Sequence, residues 1–290
     1  MKPIFRYSTK DTYLVLYAIG VFLIPYAMAA TDISAWWGIA GALQVLLIVN
    51  VQNSSLHHHT HCHIFLNSWA NHIYELFISA TTSIPNQVWR QSHALHHKHV
   101  NDIPGSNGRT RDPLSVYRIS GTSEPTNFWV YCFYTIISED IKYCWFVCPP
   151  AIKKIPDLRI RYYREWWMFK LYILSICLIN WQYGIFLLLI YVIGFAVNNA
   201  NNYGEHWGSG VKQNDTMRDS VGIYNSWYNW IGFNAGLHQE HHFKPGAHWS
   251  HLPNITTQLP SDRHIVKCGA HVANNPFWAH FKLLFKKNGK

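Results

Sequence analysis

Residues 56–65 read LHHHTHCHIF, so five of these ten residues are histidines, and they follow directly on an apolar run long enough to cross a membrane. Two later segments have the same character: residues 93–97 (HALHH) and residues 238–242 (HQEHH). Neutral imidazole is a common ligand of Fe, Zn, Cu and Ni. Three histidine groups beside apolar segments therefore predict a metal centre attached to a membrane domain.

The composition agrees with a membrane location. Of the 290 residues, 49% are hydrophobic and 13% are charged, and this charged fraction is about half that of soluble domains. The 14 tryptophans and 17 tyrosines suit the bilayer interface. The net charge of +9 comes from basic residues that flank apolar segments and form no RNA- or DNA-binding motif, so we expect lipid contacts and no nucleic acid. The six cysteines include no CxxC pair, which argues against a zinc ribbon or a redox dithiol.

The apolar blocks set the predicted architecture, because a spanning helix needs roughly 20 apolar residues. Four transmembrane segments are predicted, at about residues 13–30, 35–53, 166–180 and 183–200. They pair into two hairpins. The intervening residues 54–165 and 201–290 form a predicted helical cap that carries the histidines. The expected fold is thus an all-α integral membrane protein with one domain over residues 1–290.

The distribution of basic residues predicts the orientation. Lys and Arg are concentrated in residues 2–10, in residues 153–164 and in the C-terminal tail, whereas the two hairpin turns contain none. The positive-inside rule then places both termini and all three histidine groups on the cytoplasmic side of a multi-pass protein. The tail also contains a predicted amphipathic helix at residues 277–287.

Histidine spacing indicates how the ligands are presented. His57 and His61 are four residues apart and share one face of a helix, and the later two groups both have the spacing i, i+3, i+4. His206, soon after the fourth apolar run, is an additional candidate. Eight or more imidazoles exceed the needs of one ion, so a two-metal centre is the economical interpretation. His59 and His63 form an alternative i, i+4 pair in the first group.

Neighbouring polar residues are candidates for supporting roles. Three roles are open to Asn202, four residues before His206: a weak ligand, a holder of metal-bound water, or a helix cap. Ligating histidines usually donate their second N–H to a carboxylate or a carbonyl. We assign that outer role to five acids, each of which has a solvated surface charge as its alternative: Asp102, Asp112, Glu205, Asp219 and Glu240.

These patterns resemble the three histidine boxes of the membrane fatty acid desaturase superfamily, which also includes related hydroxylases and carotenoid ketolases. Residues 96–102 (HHKHVND) and the RDP at 111–113 are similar to the second box and its loop. Residues 202–208 (NYGEHWG) resemble the NYxEHxG segment of membrane alkane hydroxylases, and residues 233–253 resemble the third box of bacterial members. The resemblance extends over about residues 50–255.

The resemblance implies a non-haem di-iron site, with O2 as co-substrate, that removes hydrogen from an unactivated C–H bond of a lipid-like chain. The ligands that it implies, carried over by position, are His57, His61, His93, His96, His97, His206, His238, His241 and His242. His58 stands where many members have Asp or Glu, so His59 and His63 remain an alternative register for the first box.

The leading functional prediction is a fatty-acyl desaturase. The alternative is a hydroxylase or ketolase of a fatty acyl, alkane or carotenoid substrate with the same site. A non-catalytic metal transporter or sensor is more remote, because the apolar segments contain few polar residues. The chain has no nucleotide fingerprint, ferredoxin cysteine pattern or fused haem domain. We therefore expect an external electron donor of the ferredoxin, rubredoxin or cytochrome b5 type.

Overall fold

The computed structural model describes residues 3–31, 34–209, 217 and 219–260. Over these ranges the chain is helical, as predicted, and its one extended pairing is an isolated antiparallel bridge between Phe5 and Phe65. The α-helices are α1 (Asp11–Ala30), α2 (Trp37–Val51), α3 (His57–His61), α4 (Ser68–Thr82), α5 (Asn86–His99), α6 (Phe128–Thr135), α7 (Pro150–Lys153), α8 (Pro156–Ile179), α9 (Trp181–His206), α10 (Ser226–Ile231) and α11 (His238–Phe243). Segments Gln52–Leu56 and Ile136–Phe146 are π-helical, and short 3-10 turns occupy Ser34–Trp36, Trp249–Asn254 and Thr256–Gln258.

The chain divides into two compact units. The first contains the described residues of Met1–Arg90 and Ile136–Val197, and the second contains those of Gln91–Thr135 and Asn198–Lys290. The prediction of one domain over residues 1–290 stays a prediction. The amphipathic helix predicted at residues 277–287 lies outside the described residues.

Within the described residues, three helices are long and apolar enough to cross a membrane: Asp11–Ala30, the continuous stretch Trp37–His61, and Trp181–His206. They overlap three of the four predicted segments. Helix α8 contains the remaining one, but its last 18 residues include three charged side chains, Arg164, Glu165 and Lys170. The fourth span and the two hairpins therefore stay predictions.

A π-helical turn connects the second apolar helix to the first histidine group. Helix α2 continues through Gln52–Leu56 into α3 without a break in helical backbone. A π turn inserts an extra residue and changes the direction in which later side chains point, and such turns are common at functional sites. Helix α3 then ends where Cys62 adopts an extended conformation (φ −128°, ψ 93°).

The end of α3 changes the geometry expected for the first histidine group. His57 and His61 lie within one helical turn, as their spacing predicts. His63 lies beyond the helix, so His59 and His63 are not a pair on one helical face. Helix α4 begins shortly afterwards, where the Asn67 side chain accepts hydrogen bonds from two backbone amides of its first turn.

Polar side chains within the apolar helices of the first unit have nearby partners. The Tyr183 hydroxyl donates to Gln44 Oε1 at 2.6 Å and joins α9 to α2. Tyr172 on α8 donates to the Phe22 carbonyl of α1 at 2.8 Å, and the two rings stack 4.5 Å apart. An unsatisfied polar group in an apolar environment costs several kcal/mol, so these pairs both offset that penalty and fix which helix faces meet.

Two small apolar clusters support the histidine-bearing elements of the second unit. Tyr203 near the end of α9 packs with Val116, Phe128, Tyr131 and Cys132. Residues Leu237, Leu252 and Ile255 form a separate cluster, with Phe243 against it, at the two ends of α11. Burial of such side chains stabilises each by about 1.5–3 kcal/mol, and here it holds α9 and α11 in place.

Candidate metal centre

Four histidines of the second unit, carried by three helices, form one group. They are His96 on α5, His206 at the end of α9, and His238 and His242 on α11. All four are buried, and one ring nitrogen of each lies within 4.8 Å of those of the others. The Nε2 atoms of His206 and His238 are 3.1 Å apart. The group therefore has the donor type and the convergence that a metal ion requires.

A second group of the same unit lies directly beside the first. The Nε2 atom of His97 is 2.9 Å from His93 Nε2 and 3.0 Å from His241 Nε2. The rings of His97 and His242 have centroids 4.5 Å apart. Neighbouring residues of α5 and of α11 thus supply both groups, which follows from the HxxHH spacing of each segment.

The spacing of these nitrogens fits metal coordination. A metal ion about 2.1 Å from two imidazole nitrogens at right angles separates them by about 3.0 Å. The observed Nε2–Nε2 distances of 2.9, 3.0 and 3.1 Å match that value. In addition, the Nε2 atoms of His96 and His242 are buried without a hydrogen-bond partner among the described residues. A buried orphan nitrogen is costly, and a bound metal removes that cost.

Burial keeps the histidines in the form that binds metal. Burial lowers the pKa of His242 well below its ordinary value, and the neighbouring His238, His97, His206 and His96 lower it further. The imidazole of His242 is therefore neutral at physiological pH. Neutral imidazole is the protonation state that ligates a metal ion.

Asp112 orients the ring of His96. Both of its oxygens lie 3.0 Å from His96 Nδ1, so that nitrogen carries the proton and Nε2 faces the group. The carboxylate is itself fixed, because the backbone amides of Asn101 and Leu114 donate to it at 2.7 Å each. Such carboxylate–histidine pairs set the tautomer and raise the basicity of the ligand.

Asp219 contacts two histidines through different atoms. Its backbone carbonyl accepts from His206 Nδ1 at 3.2 Å, and its Oδ1 lies 3.5 Å from His242 Nδ1. Ser209 also donates to that carbonyl, at 3.0 Å. The carboxylate role expected of Asp219 is therefore shared with a backbone role that sequence alone does not reveal.

Glu205, one of the acids assigned an outer role from the sequence, lies close to His238. Its Oε2 lies 3.6 Å from His238 Nε2, the same nitrogen that faces His206. The carboxylate is therefore beside the convergent face of His238 rather than behind its ring. Its other oxygen accepts a hydrogen bond of 2.9 Å from Asn201, which fixes the carboxylate.

The other predicted supporting residues contact loops. Asn202 donates to the Leu114 carbonyl at 3.0 Å and to the Tyr131 hydroxyl. Glu240 accepts from the Thr256 hydroxyl at 2.8 Å, which joins α11 to a 3-10 turn. Asp102 accepts from the backbone amides of residues 111 and 112, and from the Arg111 side chain. These three residues shape the surroundings of the histidines.

The first unit contains the histidines of the first box in two arrangements. One nitrogen of His57 and one of His61 lie within 4.8 Å of each other, and their ring centroids are 5.6 Å apart. His59 and His63 instead lie beside a carboxylate, with each Nε2 at 3.8 Å from Glu75 Oε1. The two registers weighed from the sequence are therefore two separate clusters.

Asn101 is a functional candidate that the sequence reasoning did not single out. It has a positive φ of 56° immediately after the second histidine box. Its side chain donates to the His206 carbonyl at 3.1 Å and accepts from the Val116 amide at 3.1 Å. Asn tolerates this left-handed conformation better than most residues, so its position after the box was an available signal.

Comparison with known proteins adds one match. The family model described as fatty acid desaturase matches residues 34–264. That range includes all three histidine groups and His206. No curated protein and no solved structure matched the chain.

Proposed function

Because the chain belongs to the fatty acid desaturase family, we propose that it is an O2-dependent di-iron membrane enzyme that desaturates a fatty-acyl chain. Membership by itself implies an oxidoreductase with a lipid substrate and an association with membranes. The observation that carries the proposal is the pair of adjacent, convergent histidine groups in the second unit. Two neighbouring imidazole groups match the two-metal requirement of this chemistry.

We propose nine histidine ligands for the two irons. Seven belong to the second unit and form its two groups: His93, His96, His97, His206, His238, His241 and His242. The remaining two are His57 and His61 of the first unit. Their shared helical turn on α3 supports this choice, whereas His59 and His63 face Glu75.

The residues around the ligands have distinct tasks. When bound, the irons supply the oxidising power that an unactivated C–H bond requires, which no side-chain acid or base provides. Asp112 holds the proton on His96 Nδ1, and the Asp219 carbonyl does the same for His206. In both histidines the proton is on Nδ1, so the unprotonated Nε2 can bind the metal. The buried setting of the group excludes water and favours neutral ligands.

The apolar helices provide the setting for the substrate. Helices α1 and α9 and the stretch Trp37–His61 have the length and composition of membrane spans. In this proposal they and a fourth span, residues 166–180, bring a lipid-like chain to the metals. Both termini and the centre lie on the cytoplasmic side, and a ferredoxin, rubredoxin or cytochrome b5-type protein supplies electrons there.

A hydroxylase is the second candidate. Residues 202–208 (NYGEHWG) resemble the corresponding segment of membrane alkane hydroxylases, and Glu205 of this segment lies beside the convergent nitrogen of His238. The two reactions differ in product mass, since desaturation removes two hydrogens and hydroxylation adds one oxygen.

Lipid analysis of cells tests the proposal directly. Cells that express the protein should accumulate a lipid with two fewer hydrogens, detected by mass spectrometry, and cells that express His242→Ala should not. The matched control is His251→Ala, because His251 is exposed and belongs to neither histidine group; this variant should retain the product. A gain of oxygen would establish the hydroxylase instead. Unchanged lipids, together with purified protein that binds no iron, would refute both.

A further inference from the structure

A third cluster of metal-binding side chains lies in the first unit and is not used by the proposed di-iron centre. It consists of His59, His63 and Glu75. We propose that these three residues form a separate site for one divalent transition ion, Zn²⁺ or Fe²⁺. The proposal does not rest on the function proposed above.

The donor atoms converge on one side of the Glu75 carboxylate. The Nε2 atoms of His59 and His63 each lie 3.8 Å from Glu75 Oε1. A metal ion about 2.1 Å from two ligands at the tetrahedral angle separates them by about 3.4 Å. Movements of about 0.4 Å, within reach of a ring rotation, therefore close the site. Two imidazoles and one carboxylate form a ligand set found for both zinc and non-haem iron.

Unpaired buried atoms point into this cluster. His59 is fully buried and Glu75 is 2% exposed. His59 Nε2 and Glu75 Oε1 both lack a hydrogen-bond partner among the described residues. The other carboxylate oxygen is held by His72, whose Nδ1 lies 3.2 Å away. Oε1 lies beside the two imidazoles and 3.5 Å from the Arg90 guanidinium, so a metal ion bound there would take the place of that guanidinium.

Metal binding requires one change of tautomer. The Ile64 amide donates to His59 Nδ1 at 3.4 Å, and this contact favours a proton on Nε2. A metal at Nε2 moves that proton to Nδ1 and breaks the contact. The loss is small, because 3.4 Å is beyond the usual range of N–H hydrogen bonds, and a metal–nitrogen bond replaces it.

Arg90 competes with the metal for the same carboxylate. Its guanidinium is 3.5 Å from Glu75 Oε1 and also contacts His63 Nε2. The Arg90 side chain is 25% exposed, so it can move towards solvent when an ion binds. The Arg90 guanidinium thus competes with a metal ion for the site, and replacement of Arg90 by an uncharged residue should strengthen metal binding.

The position of the site indicates what the ion does. His59 belongs to α3 and His63 to the segment after it, whereas Glu75 belongs to α4. An ion on these residues would link the exit of α3 to α4. That link fixes the helical turn which carries His57 and His61. The site therefore has a structural role.

Metal stoichiometry tests the inference. We would titrate the purified, metal-depleted full-length protein with Zn²⁺ alone and, under anaerobic conditions, with Fe²⁺ alone, and count bound ions by mass spectrometry of the elements. The expected result is one ion, in addition to any held by the histidine groups of the second unit, that is bound at least tenfold more tightly in Arg90→Met than in wild type and is lost in Glu75→Gln. The two titrations show whether the site accepts Zn²⁺, Fe²⁺ or both.

Further measurements distinguish a variant that fails to fold, the absence of this site, and the failure of the di-iron proposal. If Glu75→Gln does not fold, His63→Ala replaces it, because His63 is partly exposed and its loss removes a ligand with little effect on the core. The same number of bound ions in wild type and in Glu75→Gln or His63→Ala, together with unchanged affinity in Arg90→Met, would overturn the site and reduce the cluster to an ion-pair network. A single ion that is lost in Glu75→Gln but kept in His242→Ala would support this site and refute the di-iron proposal.

Discussion

Asp112 shows how one carboxylate determines the chemistry of a candidate metal ligand. It accepts from His96 Nδ1 and is fully buried. The sequence predicted an outer role for it, because carboxylates commonly support metal-bound histidines. The sequence did not reveal that Asn101, in a left-handed conformation, donates its backbone amide to the same carboxylate. Backbone donors are set by the path of the loop, which residue type alone does not specify.

We predict that Asp112→Asn weakens iron binding and activity. An amide supplies one acceptor and one donor where His96 and two backbone amides now meet two acceptors. Loss of such a partner typically costs 10- to 100-fold in metal affinity or activity. Iron content and product formation would be measured side by side. The matched control is Asp157→Asn, an exposed aspartate at the start of α8, which should behave as wild type. Full iron content and turnover in Asp112→Asn would contradict this role.

At the scale of the helix, apolar periodicity and run length predicted the positions of long helices but not the irregular turns. The runs at residues 13–30, 35–53 and 183–200 all overlap long apolar helices. The π turn at Gln52–Leu56 was not predicted, since its i to i+5 hydrogen bonds depend on how the helix packs. Nor was the extended conformation of Cys62, which removes His63 from the helix. The spacing of His59 and His63 is helical in sequence but not in structure.

Helix α9 provides a paired test of helix packing. A Cβ atom added at Gly184 would overlap Cys177 Sγ and lie 3.2 Å from the Cys177 Cα on α8. The thiol can rotate away, but the backbone cannot, so the helices must separate. We predict that Gly184→Ala destabilises the protein by about 1–3 kcal/mol, measured as a lower melting temperature in detergent.

Gly194 on the same helix is the control for this prediction. A Cβ added there meets nothing within 4 Å, and alanine is the better helix former by about 1 kcal/mol. Gly194→Ala should therefore melt at the wild-type temperature or above it. Replacement of Cys177 by Ala in the Gly184→Ala background should restore part of the stability, because it removes the closer of the two contacts. Equal melting temperatures for the two glycine variants would contradict close packing at Gly184.

At the scale of the molecule, the histidine boxes predicted that histidines from separate segments converge in groups that could hold metal, but they did not predict the third cluster. HxxHH segments place three imidazoles on one side of a helical turn, so two such helices readily form the groups found in the second unit. In the sequence, Glu75 is a single charged residue within the otherwise largely apolar stretch at residues 73–84. Its place beside His59 and Arg90 depends on long-range folding of the first unit. No local pattern encodes that arrangement.

The second unit should depend on metal for its stability. Its histidine groups join α5, α9 and α11, and α11 is only six residues long, His238–Phe243. An ion that binds only the folded state stabilises it by about 2.7 kcal/mol at a free concentration 100 times Kd. We predict that removal of iron accelerates amide hydrogen exchange in α11, measured by mass spectrometry, and leaves exchange in α8 of the first unit unchanged.

Variants distinguish this effect from general loosening of the protein. His242→Ala should show fast exchange in α11 even with iron present, because a ligand from that helix is missing. His251→Ala should match wild type, since its exposed side chain lies outside both groups. Faster exchange in α8 and α11 alike would indicate global destabilisation. Unchanged exchange in α11 after iron removal would show that packing around Leu237 and Leu252 suffices to hold the helix, and that the metal does not stabilise this unit.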